Sequence, residues 1–253
     1  MPIWDRFFSS KPWSTDGCRI YAIGDVHGCF TQLTGLLRQI ERDQAGREPL
    51  ETHIVMLGDY VDRGPRSRDV CELLQAIGPS AYFHCLRGNH EQTMLDVLDG
   101  SEFALRHWLG FGGRETLLSW GVEEALVDMV AAGPGHEAEL IEAFRGAVAI
   151  EIVDWMQGLP SYRRQGDYLF VHAGVQPKVA LENQVDDDLL WIREPFLSSK
   201  AKHPWRVVHG HSQSEDIDIF HHRIGIDTGA YRTGTLTAIG LEDDRHWVIQ
   251  SGV

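Results

Sequence analysis

Three short apolar runs lie near the start of the chain, over residues 20–23, 54–57 and 82–86, and a segment able to form a helix follows each. The first run predicts a strand over 19–23. After it Leu33, Leu36, Leu37 and Ile40 recur at helical spacing, so 30–42 reads as a helix with one buried face. A polar turn with Gly46 and Pro49 separates it from a second strand at 53–57. Pro65 suits the first position of the next helix, whose stripe is Val70, Leu73, Leu74 and Ile77, and Gly78-Pro79 ends it before a third strand at 81–86. This βαβαβ alternation predicts parallel neighbours with right-handed crossovers.

From about residue 92 to 158 the pattern turns helical, punctuated by Gly110, Gly112, Gly113, Gly121 and Gly133-Pro134-Gly135. It reads as a helical insertion over one side of the domain, with Trp108, Trp120 and Trp155 as core. Strand-like runs resume at 168–171 and, beyond a loop carrying Asp186, Asp187 and Asp188, at 206–208. The tail adds runs at 217–220, 223–226, 235–240 and 246–250, close enough in sequence to pair antiparallel. The expected architecture is α/β: two mixed sheets packed face to face with helices outside. One domain over 1–253 is expected, with residues 1–17 as an irregular arm that lays its aromatics on that domain.

Composition agrees with one sizeable core: 253 residues, 43% hydrophobic and 24% charged. The net charge of −14 argues against a nucleic-acid backbone or an anionic membrane as partner, since both want basic patches. Cys18, Cys29, Cys71 and Cys85 form no C-x-x-C pair and read as reduced thiols. The first residues show no apolar leader, and no apolar run approaches membrane-spanning length, so a cytoplasmic location is expected.

The chemistry gathers where the first three strands end. The loops read Gly24-Asp25-Val26-His27-Gly28, Gly58-Asp59-Tyr60-Val61-Asp62-Arg63-Gly64 and Gly88-Asn89-His90-Glu91. Asp59 follows Asp25 by 34 residues and Asn89 follows Asp59 by 30, one helix and its turns each time. Adjacent parallel strands joined this way bring the loops together, at the strand ends where α/β sheets bind ligands. His172 and His211 also close strand-like runs, so five loops can converge. A carboxylate shared by two ions would set them roughly 3.5–4 Å apart, as in two-metal hydrolases. Singly, each residue has a plain alternative: Asp25 a turn carboxylate, His27 a surface imidazole, Asn89 a turn residue, and His172 or His211 a hydrogen-bonded core histidine. It is the ordered recurrence of the set that points to a metal-dependent hydrolase.

These motifs closely resemble those of the phosphoprotein phosphatases, Gly-Asp-x-His-Gly, Gly-Asp-x-x-Asp-Arg-Gly and Gly-Asn-His-Glu, and all three are intact. His172-Ala173-Gly174 and Gly210-His211-Ser212 look like the bacterial and phage branch. The resemblance, running from about Ile20 to Gly240, implies a calcineurin-like metallophosphatase β-sandwich with two divalent metal ions, manganese by analogy with that branch, iron or zinc being compatible. It implies Asp25, His27 and a bridging Asp59 as ligands of one ion, and Asn89, His172 and His211 with Asp59 for the other; the His209-Gly210-His211 run leaves His209 as an alternative. Arg63, with Asn89 and Arg193, would hold the substrate phosphate, where a planar guanidinium suits bidentate binding; the plain alternative for Arg193 is an ion pair with Glu194. A hydroxide between the metals would attack phosphorus while His90, held by Asp62, protonates the leaving group. The activity implied is hydrolysis of phosphoserine and phosphothreonine in proteins or peptides, with phosphotyrosine admitted because the implied chemistry does not inspect the alcohol closely. A symmetrical dinucleoside tetraphosphate hydrolase is the alternative; such enzymes typically lack an Asp at the position of Asp62 and carry Asp where Glu91 stands. A catalytically dead phosphoprotein-binding scaffold is disfavoured because every matched position is filled. Substrate recognition is expected in the insertion and around Asp186 and Tyr231.

Overall fold

The structure, a computed structural model, describes residues 12–78, 80–201 and 203–252. Its first sheet contains β1 (Arg19–Ile23), β2 (Thr52–Met56), β3 (Phe83–Cys85), β9 (Thr237–Glu242) and β10 (Arg245–Gln250), in the order β10-β9-β1-β2-β3. β1, β2 and β3 are parallel neighbours, Ile20 opposite His53 and Ile54 opposite Phe83, with α1 (Phe30–Ala45) and α2 (Ser67–Ile77) as the crossovers. The second sheet contains β4 (Tyr162–Gln165), β5 (Tyr168–Val171), β6 (Arg206–His209), β7 (Asp218–Ile219) and β8 (Arg223–Gly225), in the order β4-β5-β6-β8-β7.

Strand alternation explains the layering, because successive side chains leave a strand on opposite faces. Ile20 and Ala22 of β1, Val55 of β2 and Ile239 and Leu241 of β9 meet Tyr168, Phe170, Val208 and Ile224 of the other sheet. The intervening Tyr21, Ile23, Met56 and Ala238 pack instead beneath the helices. On the far side Leu169, Val171 and Val207 are covered by Leu189, Ile192 and Phe196. A strand buried on both faces reads as a continuous apolar run, and all five residues of β1 are buried.

Several expectations move. Pro65 sits in the turn before α2, which starts at Ser67, because residues 61–66 form the motif loop. Gly78 ends that helix at φ 69°, while Pro79 lies outside the described residues. β4, whose sequence is Tyr-Arg-Arg-Gln, carries no apolar alternation and was not foreseen; it pairs antiparallel with β5. Asp186, Asp187 and Asp188 do not form a loop but the first turn of α9 (Asp186–Trp191), where carboxylates face the positive end of the helix dipole. In the tail, β7 with β8 and β9 with β10 pair antiparallel as expected, yet β6 pairs with β8 in parallel. Of the N-terminal arm, Trp4, Phe7 and Phe8 lie outside the described residues; Trp13 packs on the inter-sheet core and edge-on to His221.

The insertion holds six helices: α3 (Asn89–Leu98), α4 (Glu102–Leu109), α5 (Gly113–Ser119), α6 (Glu124–Ala132), α7 (Glu137–Ala147) and α8 (Ile150–Gln157). Its apolar residues join α1 and α2 in one core, with Trp108 and Trp120 buried and Trp155 partly so. Among the described residues no helix is long and apolar enough to cross a membrane.

Candidate metal centre

The three motif loops are stitched together by their own backbones. The Val26 and His27 amides both donate to the Asp59 carbonyl, at 3.0 and 2.8 Å, and Gly28 donates to Tyr60 at 2.9 Å. Gly28 has φ +62°, and a Cβ on it would meet the Gly64 carbonyl oxygen at 2.5 Å, so the glycines ending the first two motifs let these loops touch. The Glu91 carboxylate ties in the third. Its Oε1 accepts from Tyr60 and Val61 (2.7 and 3.3 Å), its Oε2 from Asp59 and Gly88 (2.8 and 2.9 Å). His27, Asp59, Asp62, Arg63 and His211 all have positive φ, from 43° to 76°. Left-handed backbone is uncommon for residues with side chains and clusters where a site demands it.

The loops gather two groups able to hold a metal ion: His27, Asp59 and His90, and Asp59, His172 and His211, all buried. Asp59 belongs to both. Asn89 Oδ1 lies 2.8 Å from His172 Nε2 and 3.0 Å from His211 Nδ1. Asp25 is beside them, its Oδ2 accepting the His211 amide at 3.0 Å. His209 stands apart: its Nδ1 faces the Gly210 carbonyl, its Nε2 faces Arg223, and Phe196 packs on its ring. Of the two histidines left open by the sequence, His211 is the one brought to Asp59.

The proton inventory fits cations here. Burial lowers the pKa of His27 and His172, and takes that of His211 down to about 3, so these rings are neutral. A neutral ring has one N–H. His27 Nδ1 lies 2.8 Å from the Val61 carbonyl and His172 Nδ1 lies 2.9 Å from the Leu57 carbonyl, which places the protons on Nδ1. The His172 Nε2 lone pair then faces acceptors, Asn89 Oδ1 and Asp59 Oδ1 at 2.8 and 3.4 Å, whereas His27 Nε2 has the Arg63 guanidinium at 2.8 Å as well as Asp59 Oδ2 at 3.5 Å. His211 Nε2 is buried without a partner. At His172 a lone pair meets two oxygens with no proton between them, which calls for a cation, and an Nδ1–H held by a backbone carbonyl is the usual support of a metal-ligating imidazole. Burial, followed by Asp227 and Asp59, raises the pKa of Asp25 well above the usual carboxylate range, a repulsion that divalent ions would relieve.

Asp62 and His90 form a buried pair through Nδ1 and Oδ2. Burial opposes protonation of His90, but Asp59 and Asp62 outweigh it and its pKa is raised. The Arg63 guanidinium reaches His27 Nε2 at 2.8 Å and His90 Nε2 at 3.2 Å, with its Cζ 4.8 Å from the Tyr231 ring centroid. Arg193, exposed at the end of α9, does not pair with Glu194, which bonds Ser198; its Nη2 lies 3.5 Å from the His211 carbonyl.

Residues 18–236 match the sequence profile of the calcineurin-like phosphoesterases. The chain belongs to that family. The symmetrical bis(5'-nucleosyl)-tetraphosphatase of Methylococcus capsulatus is 30% identical over 158 residues, covering 62% of this chain and 44% of the relative. The chain spans less than half the length, 44–49%, of that protein and three similarly named relatives. Serine/threonine-protein phosphatase 1 of Salmonella typhimurium is 29% identical over 231 residues, covering 88% of this chain and 92% of that one. A solved structure proposed to be a diadenosine tetraphosphatase superposes with TM-score 0.65 at 21% identity, over 94% of this chain and 96% of the other. At that identity the likeness bears on the fold alone: two mixed sheets flanked by helices, as in this metallophosphoesterase.

Four contributors were not foreseen. Trp108 and Thr116 of the insertion both bond Asp62; Asp227, after β8, lies near enough to Asp25 and Asp59 to perturb Asp25; Glu91 fastens the loops. For Asp227 the signal was there, a carboxylate closing a strand-like run as Asp25 and Asp59 do. Trp108 and Thr116 carried none, because their roles come from a partner 46 and 54 residues away.

Proposed function

We propose that this phosphoesterase is a metal-dependent protein phosphatase acting on phosphoserine and phosphothreonine, with phosphorylated proteins or peptides as its partners. The carrying observation is the buried Asp62–His90 pair, in which Asp62 holds the ring through Nδ1 while that ring stands with His27 and Asp59 at the first metal group. An alkoxide leaving from a serine or threonine phosphate is strongly basic and needs a proton as the P–O bond breaks. A nucleoside diphosphate leaves as a weakly basic anion and gains little from one. An imidazole held at Nδ1 by a buried carboxylate suits the first substrate, once the Arg63 guanidinium, 3.2 Å from its Nε2, turns to the phosphate and leaves Nε2 to carry the proton.

Asp25, His27, Asp59, Asn89, His172 and His211 would hold two divalent ions, which when bound supply Lewis-acid polarisation of the phosphate and activation of water. Arg63 offers a planar fork to the phosphoryl oxygens, with Asn89 and Arg193 as further contacts. His90 delivers a proton from Nε2 to the departing oxygen, and Asp62 holds the ring and stabilises its charged form.

The names of the relatives favour a second reading, symmetrical hydrolysis of dinucleoside tetraphosphates; four bearing that name match over 62–66% of this chain and another over 92%. One paired assay separates the two. Metal-stripped protein is reloaded with manganese and given a phosphoserine peptide or diadenosine tetraphosphate at equal concentration. Phosphate release from the peptide, with little nucleotide cleavage, is expected. Rapid cleavage to ADP with a silent peptide would overturn the proposal in favour of the second reading.

A further inference from the structure

We infer that Trp108 and Thr116, both in the helical insertion, are positioning residues for proton delivery, holding the Asp62 carboxylate in the one orientation that aims His90 at the leaving group. The inference rests on the reading of His90 as the acid. Asp62 is fully buried and has φ +76°, so neither solvent nor relaxed backbone fixes its side chain. Three groups do. His90 Nδ1 and Trp108 Nε1 share Oδ2, the indole at 2.7 Å, and the Thr116 hydroxyl donates to Oδ1 at 2.6 Å. Thr116 Oγ1 in turn accepts the Asp62 amide at 2.8 Å, and Ser67 Oγ lies within 3.0 Å of that amide.

The contacts divide the labour. With Oδ1 held by Thr116 and Oδ2 by Trp108, the carboxylate plane cannot twist away from His90 Nδ1. The indole N–H on Oδ2 makes a second charge-assisted hydrogen bond that fixes this oxygen where His90 meets it. The same stretch of the insertion reaches the phosphate-binding arginine: the Arg63 amide donates to the Gly112 carbonyl at 3.1 Å, and its Nε lies 3.4 Å from the Phe111 carbonyl. Phe111 also packs edge-on against His90, ring centroids 4.8 Å apart. Residues 108–116 thus touch the acid, its carboxylate and the guanidinium without being a metal-ligand candidate. This differs from a lid, which would cover the site without fastening its reacting groups.

Thr116→Val keeps the shape and removes the hydroxyl, Thr116→Ser restores it, and Trp108→Phe removes only the indole arm. Each is assayed with a phosphoserine peptide and with p-nitrophenyl phosphate, whose leaving group needs no proton, beside His90→Asn. Thr116→Val should lose at least about tenfold more kcat on the peptide than on the aryl ester, with little change in KM, and Thr116→Ser should recover most of it. Trp108→Phe should show the same bias, with folding checked by thermal unfolding. Equal losses on both substrates from folded Thr116→Val, while His90→Asn shows the bias, would overturn the inference and leave the proposed function standing. Equal losses from His90→Asn itself would remove the acid role and this inference with it.

Discussion

Glu91 gives the sharpest test of how the motif loops are held. Its two oxygens take four backbone N–H groups from two loops, those of Tyr60 and Val61 on Oε1 and those of Asp59 and Gly88 on Oε2. The side chain is completely buried, so no water can replace a lost acceptor. Glu91→Gln preserves shape but turns one oxygen into an NH2 group, which must oppose two of those donors. A buried donor left without an acceptor costs about 1–3 kcal/mol. Two of them set a loss of roughly 2–6 kcal/mol, reduced toward ~2–4 because a neutral amide is cheaper to bury than a carboxylate. For a domain of this size each kcal/mol is about 2–4 °C in Tm, so a fall of roughly 5–15 °C is expected. Circular dichroism melts of wild type and Glu91→Gln, run with manganese and with chelator, would measure it. The fall should persist in chelator, since the hydrogen bonds are the protein's own. A melt within about 2 °C of wild type under both conditions would refute the reasoning, as would a loss confined to the metal-loaded protein.

Gly112 has φ +124°, and a Cβ there would meet Arg63 Cγ at 2.7 Å, so Gly112→Ala should displace the guanidinium and raise KM for phosphomonoesters about tenfold or more; an unchanged KM counts against Arg63 as the phosphate clamp. Asp43 accepts from Tyr21, Trp247 and both arms of Arg47, and although burial opposes it these bonds lower its pKa. A carboxylate lowered on folding stabilises the native state above its unfolded pKa of about 3.9, and that contribution is lost as pH falls through the folded value. Asp43→Asn should therefore cost about 1–2 kcal/mol at neutral pH, and the gap should narrow as pH falls below about 3.9; a gap independent of pH in denaturant titrations would contradict this. Removing metal with chelator should abolish turnover and lower Tm, since each ion at a hundredfold over its Kd adds about 2.7 kcal/mol; full activity in chelator, with metal analysis showing none bound, would refute a metal-dependent site.

The parts of the site that follow strand ends were legible in the sequence because strand, loop and helix alternate there with regular spacing. That logic put Asp25, His27, Asp59, Asn89, His172 and His211 on converging loops, while their roles as ligands came from the motif resemblance, with His209 left open beside His211. The missed elements share a physical cause: β4 pairs through its backbone while its side chains are polar, and α9 begins on three aspartates that resemble a loop. Trp108 illustrates the deeper limit. Its burial was foreseeable from type and helical spacing, but nothing along the chain says that its indole N–H would find Asp62 rather than a carbonyl. The left-handed backbone at His27, Asp59, Asp62, Arg63 and His211 was equally hidden, since none of these is glycine.

The candidate ligands are divided between the two sheets. Asp25, His27, Asp59 and Asn89 leave the first, whereas His172 and His211 leave the second, and the amide that joins His211 to Asp25 spans 186 residues of sequence. The centre therefore straddles a seam, and neither half can chelate a pair of ions before the halves meet. Loading with metal should then act as a rivet late in folding: in the emptied protein, amide exchange should quicken first in β5 and β6 along that seam, while α1 and α2 on the opposite face stay protected.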